Sequence, residues 1–370
     1  MSNSIKSLSP AAKRRIAVLF FTFATLAVCD VFIRKNDSAL DEFYVNHYRR
    51  KLDALHARPE PPRILLLGSS RVAYALVPQE FEQVIGAPAF NFGIPASKVL
   101  EWQILFSRYV EAMKPGLIVL GVNASEIRAD YEPVSAARDL FDWDDLFACL
   151  REDGWSSTVV GHFLERNSGI AWALLHRRYE TMKWLQERAE SVFPKYAQIA
   201  RERRLRVITP CSLDGYEHPW AANRRMKSLE AQLEIDSNAV MVASMPQFDP
   251  QAPAVRRFGE LLAHCRDTGI PLVVAYIPNS PRAEKRWMSV ESDLEKTIAR
   301  CCHEAGINYI GAPMTEVPRT DADYLDETHV GLALAKRLSR RIAERSMRLG
   351  LLTGNARLAK GATGSEGDAP

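Results

Sequence analysis

Two residues that lie far apart in the sequence could together perform nucleophilic chemistry. Ser70 follows an apolar run in RILLLGSSR (63–71), and His329 follows Asp326 by three positions in DYLDETHVG (323–331). A serine hydroxyl attacks a carbonyl carbon efficiently only when a histidine removes its proton, and a carboxylate beside the histidine fixes the required tautomer. The sequence therefore predicts Ser70 as nucleophile, His329 as general base and acid, and Asp326 as the residue that orients the imidazole.

Hydrogen-bond donors for an oxyanion follow two other apolar segments. Gly93 ends PAFNFG (88–93), and Asn123 ends GLIVLGVN (116–123). During acyl transfer the attacked carbonyl oxygen becomes negatively charged, and donors that already point at this oxygen lower the barrier. The backbone N–H groups of Ser70 and Gly93 and the side-chain amide of Asn123 are the predicted donors.

Each of these residues also has a purely structural interpretation. Serine is a favoured N-cap, so Ser70 alone could simply begin a helix, and a lone His329 could be a hydrogen-bonded structural histidine. The helix start after a strand also attracts phosphate groups. However, neither a Walker lysine nor a G-x-G-x-x-G motif follows Ser70, which argues against nucleotide binding.

The elements that must position these residues alternate along the chain. Apolar runs predict strands at 64–67, 88–93, 116–123, 270–278 and 307–311. Helical spacing predicts helices at 97–113 (with Ser97 as N-cap), 255–269, 290–306 and 331–349. This alternation predicts an α/β fold in which helices cover both faces of a parallel sheet, so the candidate residues should meet at its carboxyl edge.

Four short segments carry a resemblance to a known family. They resemble, in order, the four sequence blocks of the SGNH (GDSL-type) hydrolase superfamily: GSS (68–70), NFG (91–93), GVN (121–123) and DETH (326–329). The resemblance covers residues 63–130 and 270–345. It implies a flavodoxin-like three-layer fold and the same catalytic and oxyanion residues as above, with no cofactor and no metal.

Two positions depart from the usual pattern of that family. Ser69 stands where an aspartate is usual, and Arg71 stands where a leucine is usual. Similar GSS forms occur among membrane-anchored relatives that move D-alanyl or acetyl groups onto envelope polymers. The resemblance thus implies ester cleavage or acyl transfer on an envelope polysaccharide or a peptidoglycan-type substrate, with a polytopic membrane acyltransferase as a partner. A non-catalytic SGNH-like protein that binds glycan or scaffolds a membrane assembly is the alternative.

Three further residues are candidates for substrate binding. Arg71 either binds an anionic substrate group or pairs with a surface carboxylate. In GYEHPW (215–220), Tyr216 or Trp220 could stack on a sugar ring, although a packed loop is the simpler interpretation. No His or Cys spacing suggests zinc, and six cysteines without a C-x-x-C pair define no disulfide framework.

Composition bounds the possible partners and the location. The 370 residues carry a net charge of +3, so nothing favours a nucleic-acid partner. Residues 16–33 are almost wholly apolar, and as a helix they span about 27 Å, which is enough for a thin hydrocarbon layer. The adjacent bases Lys13, Arg14 and Arg15 favour a cytoplasmic N-terminus, which places the large domain outside the inner membrane.

The predicted organisation has five parts. They are a cytoplasmic tail (1–15), a single transmembrane anchor (16–34), a connector (35–62), an SGNH-like domain (63–350) with a large helical insert (131–250), and a disordered tail (351–370).

Overall fold

The computed structural model describes the central sheet, its covering helices and the N-terminal helix. The described residues are 9–35, 47–95, 97–123, 126–127, 142–153, 160–161, 163–164, 181, 214, 252–311, 317–325 and 328–351. The chain divides into two units. The first comprises Met1–Val45 and Val160–Leu205, and the second, which contains the sheet, comprises Asn46–Val159 and Arg206–Pro370. Most of the predicted insert (131–250) and nearly all of the predicted tail (351–370) lie outside the described residues.

The described elements follow the predicted alternation. The strands are β1 (Ile64–Gly68), β2 (Ala89–Gly93), β3 (Leu117–Val122), β4 (Leu272–Tyr276) and β5 (Asn308–Ile310). The helices are α1 (Pro10–Lys35), α2 (His47–His56), α3 (Ser70–Ala75), α4 (Pro78–Ile85), α5 (Val99–Leu105), α6 (Glu111–Met113), α7 (Trp143–Asp153), α8 (Pro253–Asp267), α9 (Pro281–Glu304) and α10 (Leu332–Arg348). A π-helical turn, Phe106–Val110, joins α5 to α6.

The sheet is parallel throughout, with strand order β2-β1-β3-β4-β5. This is the flavodoxin-like order, in which the chain moves outward from β1 first on one side and then on the other. Ligands of such sheets bind beyond the carboxyl ends of the strands at this reversal, between β1 and β3. The predicted fold class is confirmed, and it brings the segments after β1 and β3 together.

Burial on both faces explains why β1 is a continuous apolar run. Ile64 and Leu66 pack in one core with residues of α4 and α10. Because successive side chains of a strand point to opposite faces, Leu65 and Leu67 face the other layer, and they are equally buried. Full burial of each leucine contributes about 2 kcal/mol, so the run favours a strand between two helical layers. Helix α10 packs against α3 and α4, and α8 packs against α5 and α9.

Two helix starts differ from the predicted ones. Lys98, not Ser97, is the N-cap of α5; the Ser97 hydroxyl instead donates to the Gly68 carbonyl at 3.2 Å and accepts from the Trp102 indole at 2.9 Å. Helix α9 begins at Pro281 rather than near 290, because the Ser280 hydroxyl caps it and a proline is favourable in the first turn.

The outer strand β2 is covered along its edge. The N–H of Asn91 donates to the Asp214 carbonyl at 2.8 Å, and the Asn91 carbonyl accepts from the Lys51 ammonium at 3.1 Å. Lys51 belongs to α2 and is fully buried. These contacts satisfy backbone groups that an open edge would leave available for intermolecular pairing.

Helix α1 forms part of the first unit. Its segment Arg14–Lys35 has a mean hydropathy of 2.4 and is long enough to cross a membrane. An N-terminal signal sequence has the same character, so the segment indicates either an anchor or a signal.

Candidate active site

Two glycines shape the turn that follows β1. Gly68 has a φ of +150°, and a Cβ there would lie 2.4 Å from Val72 Cγ2 and 2.6 Å from the Gly121 carbonyl oxygen. A Cβ at Gly121 would also lie 2.4 Å from Val72 Cγ2. The glycines of GSS and GVN therefore allow Val72 to seat α3 directly on the ends of β1 and β3. We call residues 68–71 the nucleophile turn.

Ser69 is the N-cap of α3, and Ser70 is its first helical residue. The Ser69 hydroxyl accepts from the Arg71 N–H at 3.2 Å, which satisfies one of the donors left unpaired at a helix start. The structural interpretation of Ser70 as a helix cap is therefore wrong, because its neighbour performs that role. Ser70 is half-buried, so its hydroxyl is available for another contact.

His329 provides that contact. Its Nε2 lies 2.9 Å from Ser70 Oγ, which is hydrogen-bonding distance. In the tautomer that carries the proton on Nδ1, Nε2 accepts the serine proton. The Nδ1 atom lies 3.2 Å from Thr328 Oγ1, and the Tyr74 ring meets the imidazole edge-on at a centroid distance of 5.3 Å. The structure thus brings together the predicted nucleophile and base.

A self-contained loop presents His329. We call residues 317–331 the histidine loop. Tyr324 and Val330 form an antiparallel bridge, the Leu325 N–H donates to the His329 carbonyl at 2.7 Å, and the Gly331 N–H donates to the Asp323 carbonyl at 2.7 Å. These bonds hold the described parts of the loop as a narrow hairpin that ends at the start of α10.

Asn123 lies at the end of β3 and is fully buried. Its side-chain amide donates to the Ile277 carbonyl at 2.7 Å, and its backbone N–H donates to Glu126 Oε2 at 2.8 Å. A carboxamide has two N–H groups, so the bond to Ile277 uses one of them and fixes the orientation of the side chain. Asn123 therefore lies at the carboxyl end of β3, beside the strand that precedes the nucleophile turn.

Gly93 has a different environment from the predicted one. Its backbone N–H donates to Asn91 Oδ1 at 2.9 Å, so the fold itself uses this donor. A Cβ at position 93 would lie 2.4 Å from the Ala73 nitrogen, which explains why a glycine is needed beside α3. The geometry supports a packing role for Gly93 rather than contact with an oxyanion.

A buried polar network lies behind the nucleophile turn. The Ser69 hydroxyl donates to Glu126, the Arg71 guanidinium donates to Asn279, and Arg71 Nε lies 3.9 Å from Glu126 Oε1. Burial raises the pKa of Glu126, although Arg71 and the Ser69 hydroxyl favour its charged form. Arg71 is only 7% exposed and lies beside the buried carboxylate of Glu126, so of its two predicted roles the pairing with a surface carboxylate is wrong.

Three predicted site residues lie outside the described residues, namely Asp326, Tyr216 and Trp220. Conversely, the sequence analysis missed Glu126, Asn279, Tyr74 and Asn91. Asn279 had a usable signal, because it follows β4 in YIPNS and thus falls at the same sheet edge. Within the described part of the chain, no three His, Cys, Asp or Glu side chains converge as a metal site would require.

Fold and site together define an α/β protein of flavodoxin-like order with a serine–histidine pair at its reversal point. No protein-family model and no curated protein sequence matches the chain. The solved structures that overlap with it in part include two GDSL-like proteins. One, from Parabacteroides merdae, is provisionally assigned as a GDSL-like lipase; it is 9% identical with a TM-score of 0.33, over 78% of this chain and 95% of that chain. The other, a GDSL-like lipase from Bacteroides thetaiotaomicron, is 8% identical with a TM-score of 0.34, over 82% of this chain and 98% of that chain.

Proposed function

We propose that the protein is a serine esterase or O-acyltransferase that acts on carboxylic esters through an acyl-enzyme. The observation that carries the proposal is the 2.9 Å contact between Ser70 Oγ and His329 Nε2 at the reversal point of the sheet. A hydroxyl and an imidazole at this distance can exchange a proton as nucleophilic attack proceeds.

The chemistry follows from the positions of the two side chains. Ser70 Oγ bonds to the ester carbonyl carbon while its proton passes to His329 Nε2, and the carbonyl oxygen becomes an oxyanion. His329 then returns this proton to the leaving alcohol as the ester C–O bond breaks. Water, or a sugar hydroxyl, then loses its proton to His329 and bonds to the acyl carbon. The bond between this carbon and Ser70 Oγ breaks, and His329 returns the proton to Oγ, so that the acid or the new ester leaves and Ser70 is regenerated.

Supporting groups have proposed roles in this cycle. The Ser70 N–H and the Asn123 amide are the proposed oxyanion donors; removal of one such donor costs about 3 kcal/mol in the transition state. Asp326 is proposed to accept from His329 Nδ1 and fix the tautomer. Arg71 is not needed for substrate in this scheme, since its guanidinium bonds to Asn279.

The proposed substrate is an ester group, acetyl in the first instance, on a cell-envelope glycan. The proposal draws on the resemblance of GSS to the membrane-anchored forms and on the apolar helix Arg14–Lys35, which could tether the domain to the inner membrane. The proposed topology has the N-terminus in the cytoplasm, and an alkaline phosphatase fused to the C-terminus should then be active. Inactive phosphatase, together with an active cytoplasmic reporter at the same position, would reverse this orientation.

Labelling with a fluorophosphonate probe tests the catalytic proposal. The detergent-solubilised full chain should react at Ser70, as identified by peptide mass, and should cleave p-nitrophenyl acetate. Ser70→Ala should lose both activities, with kcat falling at least about 10³-fold. Ser346→Ala is the matched control, because Ser346 is buried in α10 and bonds only within that helix, to Ile342. An unlabelled, folded wild-type chain would refute the enzyme and favour a glycan-binding or scaffolding protein.

A further inference from the structure

We propose that Glu126 is a positioning residue that sets both the nucleophile turn and Asn123. The inference rests on the proposed function and adds to it a residue that neither the predicted motif nor the proposed reaction includes. Among the described residues, Glu126 bonds to Ser69 and Asn123 and pairs with Arg71, so its effect on the chemistry is proposed to pass through these neighbours.

The two oxygens of Glu126 bond to two different loops. Oε1 accepts from the Ser69 hydroxyl in the turn after β1, whereas Oε2 accepts from the Asn123 N–H at 2.8 Å at the end of β3. Ser69 immediately precedes the proposed nucleophile, and Asn123 is a proposed oxyanion donor. One carboxylate therefore fixes the spacing between the group that attacks and a group that stabilises the resulting charge.

The bond to Glu126 also sets the direction of the Ser69 hydroxyl. A hydroxyl has a single proton, so the Ser69 proton points at Glu126 and leaves the oxygen lone pairs for the Arg71 N–H, 3.2 Å away. That second bond is the N-cap of α3, on whose first turn Ser70 stands. Without an acceptor at position 126, the hydroxyl could rotate, and the cap that orients Ser70 would weaken.

The burial of Glu126 argues that its role is positional. Glu126 is 5% exposed, and removal of a carboxylate from water is costly even with a cation nearby. Arg71 Nε lies 3.9 Å from Glu126 Oε1, and the Arg71 guanidinium donates to Asn279, which follows β4. The network therefore connects the ends of β1, β3 and β4. A glutamine would fit the same volume without the desolvation cost of a charge. However, its side chain has one acceptor oxygen and one NH₂ group, so it could not accept a hydrogen bond from each loop through a separate oxygen.

The test compares Glu126→Gln with Glu80→Gln in the detergent-solubilised full chain. Glu80 is a matched control because it is equally buried and bonds to Arg340 at 2.9 Å, but it lies on α4 away from the nucleophile turn. The measurements are kcat and KM for p-nitrophenyl acetate, the rate of fluorophosphonate labelling, and the midpoint of thermal unfolding. Glu126→Gln should lower kcat and the labelling rate about 100-fold with KM little changed, as expected for misplacement of reacting groups.

Comparison of the variants separates positioning from stability. A kcat for Glu126→Gln within about twofold of wild type would overturn the inference while leaving the proposed function intact. A loss of activity that Glu80→Gln reproduces at the same drop in unfolding midpoint would also overturn it. If Glu126→Gln does not fold, Ser69→Ala replaces it, because that variant removes the bond to Glu126 together with the N-cap bond to Arg71 and leaves the Glu126–Asn123 bond in place. An unchanged kcat in Ser69→Ala is then the contrary result. A wild-type chain that neither labels nor hydrolyses overturns the proposed function and this inference together.

Discussion

The nucleophile turn and the histidine loop contribute one half each of the same hydrogen bond, but different interactions hold them. The nucleophile turn is fixed from inside the sheet, by glycine close contacts and by the buried bonds of Ser69 and Arg71. The histidine loop is held by its own hairpin bonds and also by ion pairs to two helices: Arg319 bonds Glu284 of α9 at 2.6 Å, and Arg337 of α10 bonds Asp323 at 3.0 Å.

The contrast shows how the fold divides two requirements. In the proposed reaction, the attacking atom must keep a fixed position relative to the oxyanion donors, and dense packing between strand ends would provide that. The base must meet the serine from a separate part of the chain, and a short hairpin tied to neighbouring helices can reach it. Because the Arg337–Asp323 pair is partly exposed to solvent, the histidine loop should be the more sensitive half to pH and salt.

Loss of the base should have the largest effect. His329→Gln keeps a polar side chain of similar reach but removes the atom that takes the serine proton, so kcat should fall at least about 10³-fold. Hydrolysis of p-nitrophenyl acetate and fluorophosphonate labelling measure this loss. His264→Gln is the control, since His264 lies on α8 and its Nε2 lies 3.4 Å from Glu111 Oε2. Equal activity of His329→Gln and wild type would remove the histidine loop from the mechanism.

A change in the packing that supports the nucleophile turn should affect stability and activity together. Gly93→Ala places a methyl group 2.4 Å from the Ala73 nitrogen, so α3 must shift on the sheet. We expect a loss of about 2 kcal/mol in the free energy of unfolding, which is typical of overpacking, and a lower kcat because Ser70 moves with α3. Urea unfolding measures the first effect. Gly259→Ala, where a Cβ meets open space within α8, should instead leave stability unchanged or slightly higher.

The smallest expected effect concerns the anchor of the histidine loop. Partial burial acts to raise the pKa of Asp323, but bonds from Thr320 and Arg337 outweigh it and lower the pKa below its ordinary value. A lowered folded-state pKa means that Asp323 stabilises the fold above the unfolded-state pKa, and that this stabilisation disappears as the pH falls through the folded-state value.

Asp323→Asn should therefore destabilise the protein by about 0.5 kcal/mol at neutral pH, and the difference from wild type should shrink in acid. Thermal unfolding midpoints at neutral and acidic pH measure it, with Asp293→Asn as the control for an exposed pair. A difference that grows in acid would contradict the assigned direction of the pKa.

The sheet could be predicted from continuous apolar runs, and the serine–histidine pair from the small polar segments at the strand ends, because both are local sequence signals. Every strand end was predicted within about two residues, and the largest differences are at the two ends of β4. The buried network could not be read in the same way, since Glu126 and Arg71 resemble ordinary surface charges until their burial is known. The bond from the Gly93 N–H to Asn91 Oδ1, two residues earlier on the same strand, could not be predicted from the sequence motif either.

Helix ends were less predictable for a related reason. Ser97 has the residue type of an N-cap, but in the folded chain its hydroxyl donates to the Gly68 carbonyl and accepts from the Trp102 indole. A tertiary contact thus overrode a local preference. The reverse holds at Ser280, where the cap and the following proline define the start of α9 locally.

The side chain of Asn91 has a consequence for the order in which this protein matures. Its amide donates to the Val72 and Leu76 carbonyls at 2.8 and 2.6 Å, so a neighbouring strand closes the end of the six-residue helix α3. A helix this short does not persist alone in water. Under the proposed function, Ser70 should therefore reach its reactive geometry only when β2 is docked beside β1. An incompletely folded chain should then not react with a fluorophosphonate, and labelling of Ser70 would report completion of the sheet.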